Sequence, residues 1–304
     1  MAESKILVIG GMHRSGTSLV GNWLARCGLH LGDELIPADF SNPAGHFEDR
    51  GFVQLHRAIL ADNGLDHLVV RQPSLAISAE HRADAENMIT ARQGFTQWGW
   101  KDPRTALLLG FWRDLRPDLK VLVVYRNFGG VVESMLRRER KRELKCLNRY
   151  ALRNQLQTTR KLAFLRHIPG LLAVVGAVEP LLRAGTVHLR YSQFNLPRAA
   201  RYLRVWRTYN RALLADAAAH PDAVLLLHID DLLANSPQVI AALNRRWGFK
   251  LEKVDVHDVY VEGLLQSRPQ VIVQVLARFL PGCHATLRAL DAARRQALAR
   301  LEQE

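Results

Sequence analysis

The stretch Gly11-Met12-His13-Arg14-Ser15-Gly16-Thr17-Ser18 has the spacing G-x-x-x-x-G-x-[ST], that of a glycine-rich turn whose backbone N–H groups cradle phosphate. The lysine expected before the final serine is absent. Thr17 stands in its place, and the nearest cation is Arg14. Arg126 follows the apolar run Val121-Leu122-Val123-Val124-Tyr125, and Ser134 stands eight residues further on. A metal-dependent phosphate site would end that strand in an aspartate. An arginine there predicts an anion neutralised by protein cations, with no metal recruited. Two more stretches carry groups for chemistry: Lys101-Asp102-Pro103 after two tryptophans, and His46-Phe47-Glu48-Asp49 with His56 beyond it. The second supplies carboxylates and imidazoles, the usual carriers of a proton in catalysis.

These groups can meet only if the intervening chain brings them to one edge. Ile6 to Ile9 reads as a buried strand, Gly10 to Ser15 as its loop, and Gly16 to Cys27 as a helix stopped by Gly28. From Leu31 to Arg50 the chain is rich in Pro, Gly, Asn and Asp, a long loop of the kind that is more often functional than idle. Helical spacing returns at Phe52, Leu55, Ile59 and Leu60. Gln97 to Trp100 reads as a strand end turning into a helix from Thr105 to Leu115. Lys120 to Arg126 is a strand of the type found inside parallel sheets, and its helix begins near Gly129 or Gly130. Helices are expected at Leu147 to His167 and Pro197 to Ala219, with a short strand at Thr186 to Arg190. A last strand, Ala223 to Ile229, precedes Ser236-Pro237, an N-cap followed by proline at the first helical position. The tail from Gln270 forms one or two helices. The expected fold is α/β, a P-loop-type three-layer sandwich whose central parallel sheet is flanked by helices, with ligands at the carboxyl ends of the strands. No linker or repeat interrupts it, so residues 1–304 read as one domain. Its core motifs lie in 5–136, a mainly helical acceptor-side region in about 142–220, and a C-terminal strand and helices in 223–304.

Composition narrows the class. With 48% hydrophobic and 23% charged residues, the 304-residue chain is an ordinary globular one. The start lacks a signal-peptide h-region, and the apolar stretch Ile168 to Leu182 is too short and interrupted to span a bilayer. A cytoplasmic enzyme is expected. Cys27, Cys146 and Cys283 lie far apart, as buried hydrophobes would, with no metal or disulfide framework. The net charge of +13 favours an anionic partner. The densest basic run, Arg137 to Lys145, has interleaved glutamates, as in a solvated helix with i,i+4 pairs. It lacks the aromatic residues that stack on bases, so nucleic acid finds no support.

Taken together, three motifs in order, each at a strand end, resemble those of sulfotransferases that use 3′-phosphoadenosine 5′-phosphosulfate (PAPS). Gly11 to Ser18 looks like their 5′-phosphosulfate loop, and Arg126 with Ser134 resembles their 3′-phosphate motif. Lys101-Asp102-Pro103 is similar to a motif of tyrosylprotein sulfotransferases, and Trp98 to Thr105 looks like bacterial members of the superfamily. The match covers Lys5 to about Leu136, with a weaker echo at Leu225 to Leu233. The resemblance implies that PAPS is held without metal by Arg14, Ser15, Gly16, Thr17, Ser18, Arg126 and Ser134. Adenosine 3′,5′-bisphosphate (PAP) would leave as product. It implies Lys101 with Arg14 as the cations on the bridging oxygen, and Glu48 as the favoured base, with Asp49, His46 and His56 as alternatives. His13 shapes the loop, and His228 with Asp230 and Asp231 is structural. The chain departs from the resemblance at Asn127-Phe128, where many relatives have Asp-Pro or Asp-Gly, and it lacks a C-terminal Arg-Lys-Gly element, which leaves adenine contacts unassigned.

The implied acceptor is a hydroxyl of a carbohydrate, including an acidic glycan, or of a small metabolite; protein tyrosine is the alternative. Its pocket is expected between Gly32 and His56 and within Arg142 to Gln193. Two other readings compete: a variant P-loop kinase using ATP and Mg²⁺, weakened by Thr17 in the lysine position, and a non-catalytic module that binds nucleotides or polyanions. Neither the acceptor nor the oligomeric state is written in these motifs.

Overall fold

The structure, a computed structural model, describes residues 4–39, 42, 45–161, 196–261, 265 and 271–303. The strand expected at Thr186 to Arg190, the end of the helix from Leu147 and the apolar stretch Ile168 to Leu182 lie outside them. In chain order the elements are β1 (Lys5–Gly10), α1 (Thr17–Arg26), α2 (Arg50–Asp62), α3 (Ala79–Thr90) and β2 (Gln97–Lys101). A 3₁₀ turn (Pro103–Leu107) leads to α4 (Leu109–Leu115), β3 (Lys120–Tyr125) and α5 (Phe128–Lys161). There follow α6 (196–219), β4 (Val224–His228), α7 (Ile229–Ala234), α8 (Ser236–Trp247), α9 (Val271–Phe279) and α10 (Cys283–Gln303).

The four strands form one parallel sheet in the order β2-β1-β3-β4. Their apolar runs are buried on both faces, as a parallel sheet covered by helices requires. Alternation along each strand sorts the side chains into two cores. Ile6, Val8, Trp98, Trp100, Val121 and Val123 meet α2, α4, α5 and α6 on one face. On the other, Leu7, Ile9, Leu122 and Val124 meet α1 and α8. The helix after β1 therefore leaves on the opposite face from the helix after β3. Between these neighbouring strands the carboxyl edge opens into the crevice where α/β sheets bind ligands.

Three expectations are corrected. Asp102 and Pro103 start a 3₁₀ turn, not an α-helix, because Pro103 follows an extended residue whose carboxylate accepts from Arg104 N, and the helix begins only at Leu109. Ser236 is already the first residue of α8, with Asn235 as its cap. Cys146 is exposed, although Cys27 and Cys283 are buried; burial pushes the Cys27 thiol up to about 11, so it is inert. Among the described residues no helix is long and apolar enough to cross a membrane.

Candidate active site

The turn after β1 is held by backbone geometry that few residue types accept. Gly16 has φ 96°, and a Cβ there would lie 2.6 Å from Ile229 Cδ1, so only glycine fits. Arg14 also takes a left-handed conformation, φ 70°, a strain of about 1 kcal/mol or more that usually marks a functional turn. Helix α1 starts directly after Gly16 with no side-chain cap and no acid in its first turn. Its first amides and the positive end of its dipole thus face the crevice. Ser15 is fully buried, and its Oγ has no partner among the described residues. An orphaned buried hydroxyl beside an uncapped helix start fits an anion with oxygen acceptors.

Period-two alternation positions Lys101. Trp98 and Trp100 point into one core, so Lys101 points to the opposite face, toward α1. It is 2% exposed, and its ammonium donates to Glu48 Oε1 at 2.6 Å, His46 O at 3.0 Å and Ser18 Oγ at 3.1 Å, which uses all three of its protons. Glu48 reaches this point because the segment before α2 crosses the sheet edge, pinned by Ile36 N to Glu48 O (2.8 Å) and Arg50 N to Glu34 O (3.0 Å). The residue beside it, Asp49, caps α2, accepting from Gly51 N and Phe52 N, and pairs with Arg92 at 2.8 Å.

The remaining acid–base alternatives are committed elsewhere. His56 is fully buried: its Nδ1 meets Asp102 Oδ2 at 2.7 Å and its Nε2 accepts from Trp112 Nε1 at 2.9 Å. Since an indole N–H only donates, the His56 proton lies on Nδ1. Asp102 also receives Arg104 Nη1 at 2.7 Å. Burial alone would raise its carboxyl, but the His56 hydrogen bond, then the Arg104 charge, outweigh it and hold the group well below the usual carboxylate range. The stacked Phe52–Trp100 pair, centroids 4.4 Å apart, and Trp112 enclose this triad. His46 faces Asp39 at 3.2 Å. His228 caps α7, and Asp231 is gripped by Arg294, so that acidic cluster is structural, as expected.

At the end of β3 the polar groups converge. Arg14 Nε donates to Ser134 Oγ at 2.9 Å, joining the first motif to the third. Asn127, the departure from the resemblance, caps α5 through its side chain, which accepts from Gly129 N at 2.9 Å, as an aspartate would. Arg126 donates to Leu265 O and lies across the first turn of α5, where a Cβ on Gly130 would come 2.7 Å from its Nε. Burial lowers Arg14 to about 10, and Arg138, Arg126 and Arg137 all push it the same way. Arg137 and Arg138 are the functional candidates that sequence reasoning assigned to a solvated helix. The signal available was their spacing, three and four residues after Ser134 on one helix.

No protein-family model matches the chain, and none of the curated proteins matches it. Among solved structures it is similar to the sulfotransferase domain of the Synechococcus PCC 7002 olefin synthase, at 17% identity and a TM-score of 0.45, over 96% of this chain and 95% of that one. It is also similar to sulfotransferase STF1 from Mycobacterium tuberculosis H37Rv, at 12% identity and a TM-score of 0.39, over 95% of this chain and 77% of that one. Likeness at this level says nothing of activity, which the chain's own residues must carry.

Proposed function

We propose that this chain is a single-domain sulfotransferase that moves a sulfuryl group from PAPS to an acceptor hydroxyl. One observation supports the reading above the others: Arg14, Arg126, Ser134 and the uncapped start of α1 gather at the crevice between β1 and β3, beside the Lys101–Glu48 pair. Such a set suits a nucleotide with phosphate groups at both ends. The α1 amides, Ser15 and Arg14 would hold the 5′-phosphosulfate, and Arg126 with Ser134 the 3′-phosphate. The acceptor oxygen attacks sulfur, its proton passes to a Glu48 carboxylate oxygen, and the bond from sulfur to the 5′-phosphate oxygen breaks. Charge then grows on that leaving oxygen, where Lys101 and Arg14 stabilise it. Lys101 already spends its three protons, so the anion would take over the position that Ser18 Oγ holds.

Arginine at the end of β3, where a kinase needs a metal-binding aspartate, disfavours ATP and Mg²⁺. The test is calorimetric titration of PAP into the protein in EDTA. Binding that survives the chelator is the expected result, and a strict Mg²⁺ requirement would overturn the proposal.

A further inference from the structure

His56 and Asp102 are fully buried and take no part in the proposed transfer. Well-packed apolar residues of similar volume would often hold two elements together as firmly as a buried charged pair does, so strength alone does not account for them. Direction does. Phe52 stacks on Trp100 and brings α2 onto β2, but apolar contacts are non-directional and do not by themselves fix where the helix settles along the strand. The bond from His56 Nδ1 to Asp102 Oδ2, at 2.7 Å, fixes one point. Arg104 Nη1 at 2.7 Å and Arg104 N at 3.0 Å hold the other Asp102 oxygen, and Trp112 Nε1 holds the far nitrogen of His56 at 2.9 Å, so neither partner can turn.

That point is coupled to the reacting groups on both sides. Asp102 follows Lys101 on extended backbone, so the two side chains leave on opposite faces, Asp102 with Trp100 toward α2 and Lys101 toward α1. His56 stands on α2, whose cap Asp49 binds the first turn through Gly51 N and Phe52 N, and Glu48 is the residue before that cap. The Lys101–Glu48 contact at 2.6 Å and the His56–Asp102 contact thus close one ring through the end of β2 and the start of α2. A shift of α2 at the second contact is a shift of Glu48 at the first.

We infer that His56 is a positioning residue: through Asp102 it fixes α2 against the end of β2 and so holds Glu48 in register with Lys101. The effect on turnover rests on the sulfotransferase reading. Two variants separate this tether from plain stability, because each removes one of the two buried bonds of His56. His56→Asn places an amide N–H where Nδ1 stood and keeps Asp102 as its acceptor, but leaves Trp112 Nε1 unpaired; His56→Gln reaches Trp112 and gives up Asp102. Both should lower the midpoint of urea unfolding. The deciding readout is the proton–nitrogen NMR signal of the Lys101 ammonium, whose protons are all hydrogen-bonded, assigned by its loss in Lys101→Arg. It is expected to stay in His56→Asn and to shift or vanish in His56→Gln, while PAP affinity in calorimetry is unchanged in both. Release of radiolabelled sulfate from PAPS, with water standing in for the acceptor hydroxyl, should fall by up to about 10²-fold in His56→Gln, the scale of a misplacement of about 1 Å, and stay near the parent rate in His56→Asn. An unmoved Lys101 signal in His56→Gln, or the same change in both variants, overturns the inference. So does a His56→Asn protein that loses transfer with its Lys101 signal intact, which would make His56 itself the base. Should His56→Gln not fold, the unaltered protein decides: the His56 Nδ1 proton and the Lys101 ammonium protons should exchange with solvent with the same dependence on urea, and independent dependences overturn the inference. Failure of the underlying reading shows separately, as no binding of PAP to the unaltered protein, and leaves the ammonium measurement in force.

Discussion

Two charged clusters share the carboxyl edge of the sheet and are built in opposite ways. After β2, each base faces an acid: Lys101 meets Glu48, and His56 and Arg104 share Asp102. After β1 and β3, arginines crowd one another, with Asp230 favouring the charge on Arg126, and Arg14 is depressed to about 10 by burial and by three neighbouring arginines. Burying a charge is tolerable when a partner is built in. The first cluster is electrostatically closed and can serve as a rigid wall. The second carries a repulsion at Arg14 that the proposed nucleotide would relieve, and under that proposal it is the binding half of the site.

The largest expected effect falls where the two halves touch. In Glu48→Gln the amide oxygen still accepts from Lys101, so the contact is kept and PAP affinity should hold, while the buried ammonium loses its charge partner and the fold some stability. Turnover should drop by about 10²- to 10⁴-fold if Glu48 takes the acceptor proton. Radiolabelled sulfuryl transfer at saturating PAPS measures this. Near-normal turnover would leave Glu48 as a tether for Lys101 and remove the chemical role from the paired cluster.

Asp102→Asn tests the wall itself. It leaves Arg104 and His56 facing a neutral amide in a fully buried position, which should destabilise the fold by about 3–5 kcal/mol in urea unfolding. Because the Asp102 carboxyl is held below its ordinary value, its contribution to stability is present above the usual carboxylate range. It is lost as pH falls through that range toward the folded-state value. The variant should therefore lose stability at pH 7 yet show a flatter acid limb than the parent. An unchanged acid limb would mean that the triad does not govern acid unfolding.

Much of this contrast was legible in the sequence, for physical reasons that also explain the gaps. Strand-end motifs stand out because a buried parallel strand is a continuous apolar run, so the glycines that end the first run at Gly10 and Gly11 and the cations Lys101 and Arg126 that end the others locate the edge. The glutamates of the basic run misled because i,i+4 logic sees only one helix, whereas Glu139 and Glu143 find partners on α6. Glu48 and Asp49 are adjacent acids, and only the fold decides that Asp49 caps α2 while Glu48 meets Lys101. Helix α3 was not read because only Ala85 and Ile89 of its residues are buried, too few for a clear apolar stripe.

Arg14→Met addresses the binding half, with effects of opposite sign on stability and affinity. A cation whose pKa is lowered on folding is penalised in its charged form at pH values below about 10, and the penalty fades as pH rises past that value. Removing the charge should therefore raise the midpoint of the ligand-free protein at pH 7, by roughly 1–2 °C if ~1 kcal/mol is recovered. PAP affinity should fall by about 1.5–3 kcal/mol, and the thermal shift that PAP gives the parent should shrink accordingly. A destabilised ligand-free variant would show that the arginines are not in net repulsion.

The smallest effect is the most discriminating, because it perturbs an arginine without deleting it. Gly130 sits in the first turn of α5, where a Cβ would stand 2.7 Å from Arg126 Nε and 3.0 Å from its Cζ. Alanine is the better helix former by about 0.8–1.0 kcal/mol, and only the mobile end of Arg126 has to give way. Gly130→Ala should thus leave stability unchanged or slightly higher, while the displaced guanidinium weakens PAP binding by about three- to ten-fold. That is less than the full charge-assisted contact of about 1.5–3 kcal/mol lost in Arg126→Ala. Calorimetry on both variants orders them. If Gly130→Ala binds PAP as the parent does while Arg126→Ala does not, the guanidinium has slack in its seat, and the geometry at the end of β3 is looser than the crowding of Gly130 implies. If neither variant changes PAP affinity, Arg126 is outside the nucleotide site, and the cationic half of the comparison reduces to Arg14 and the start of α1.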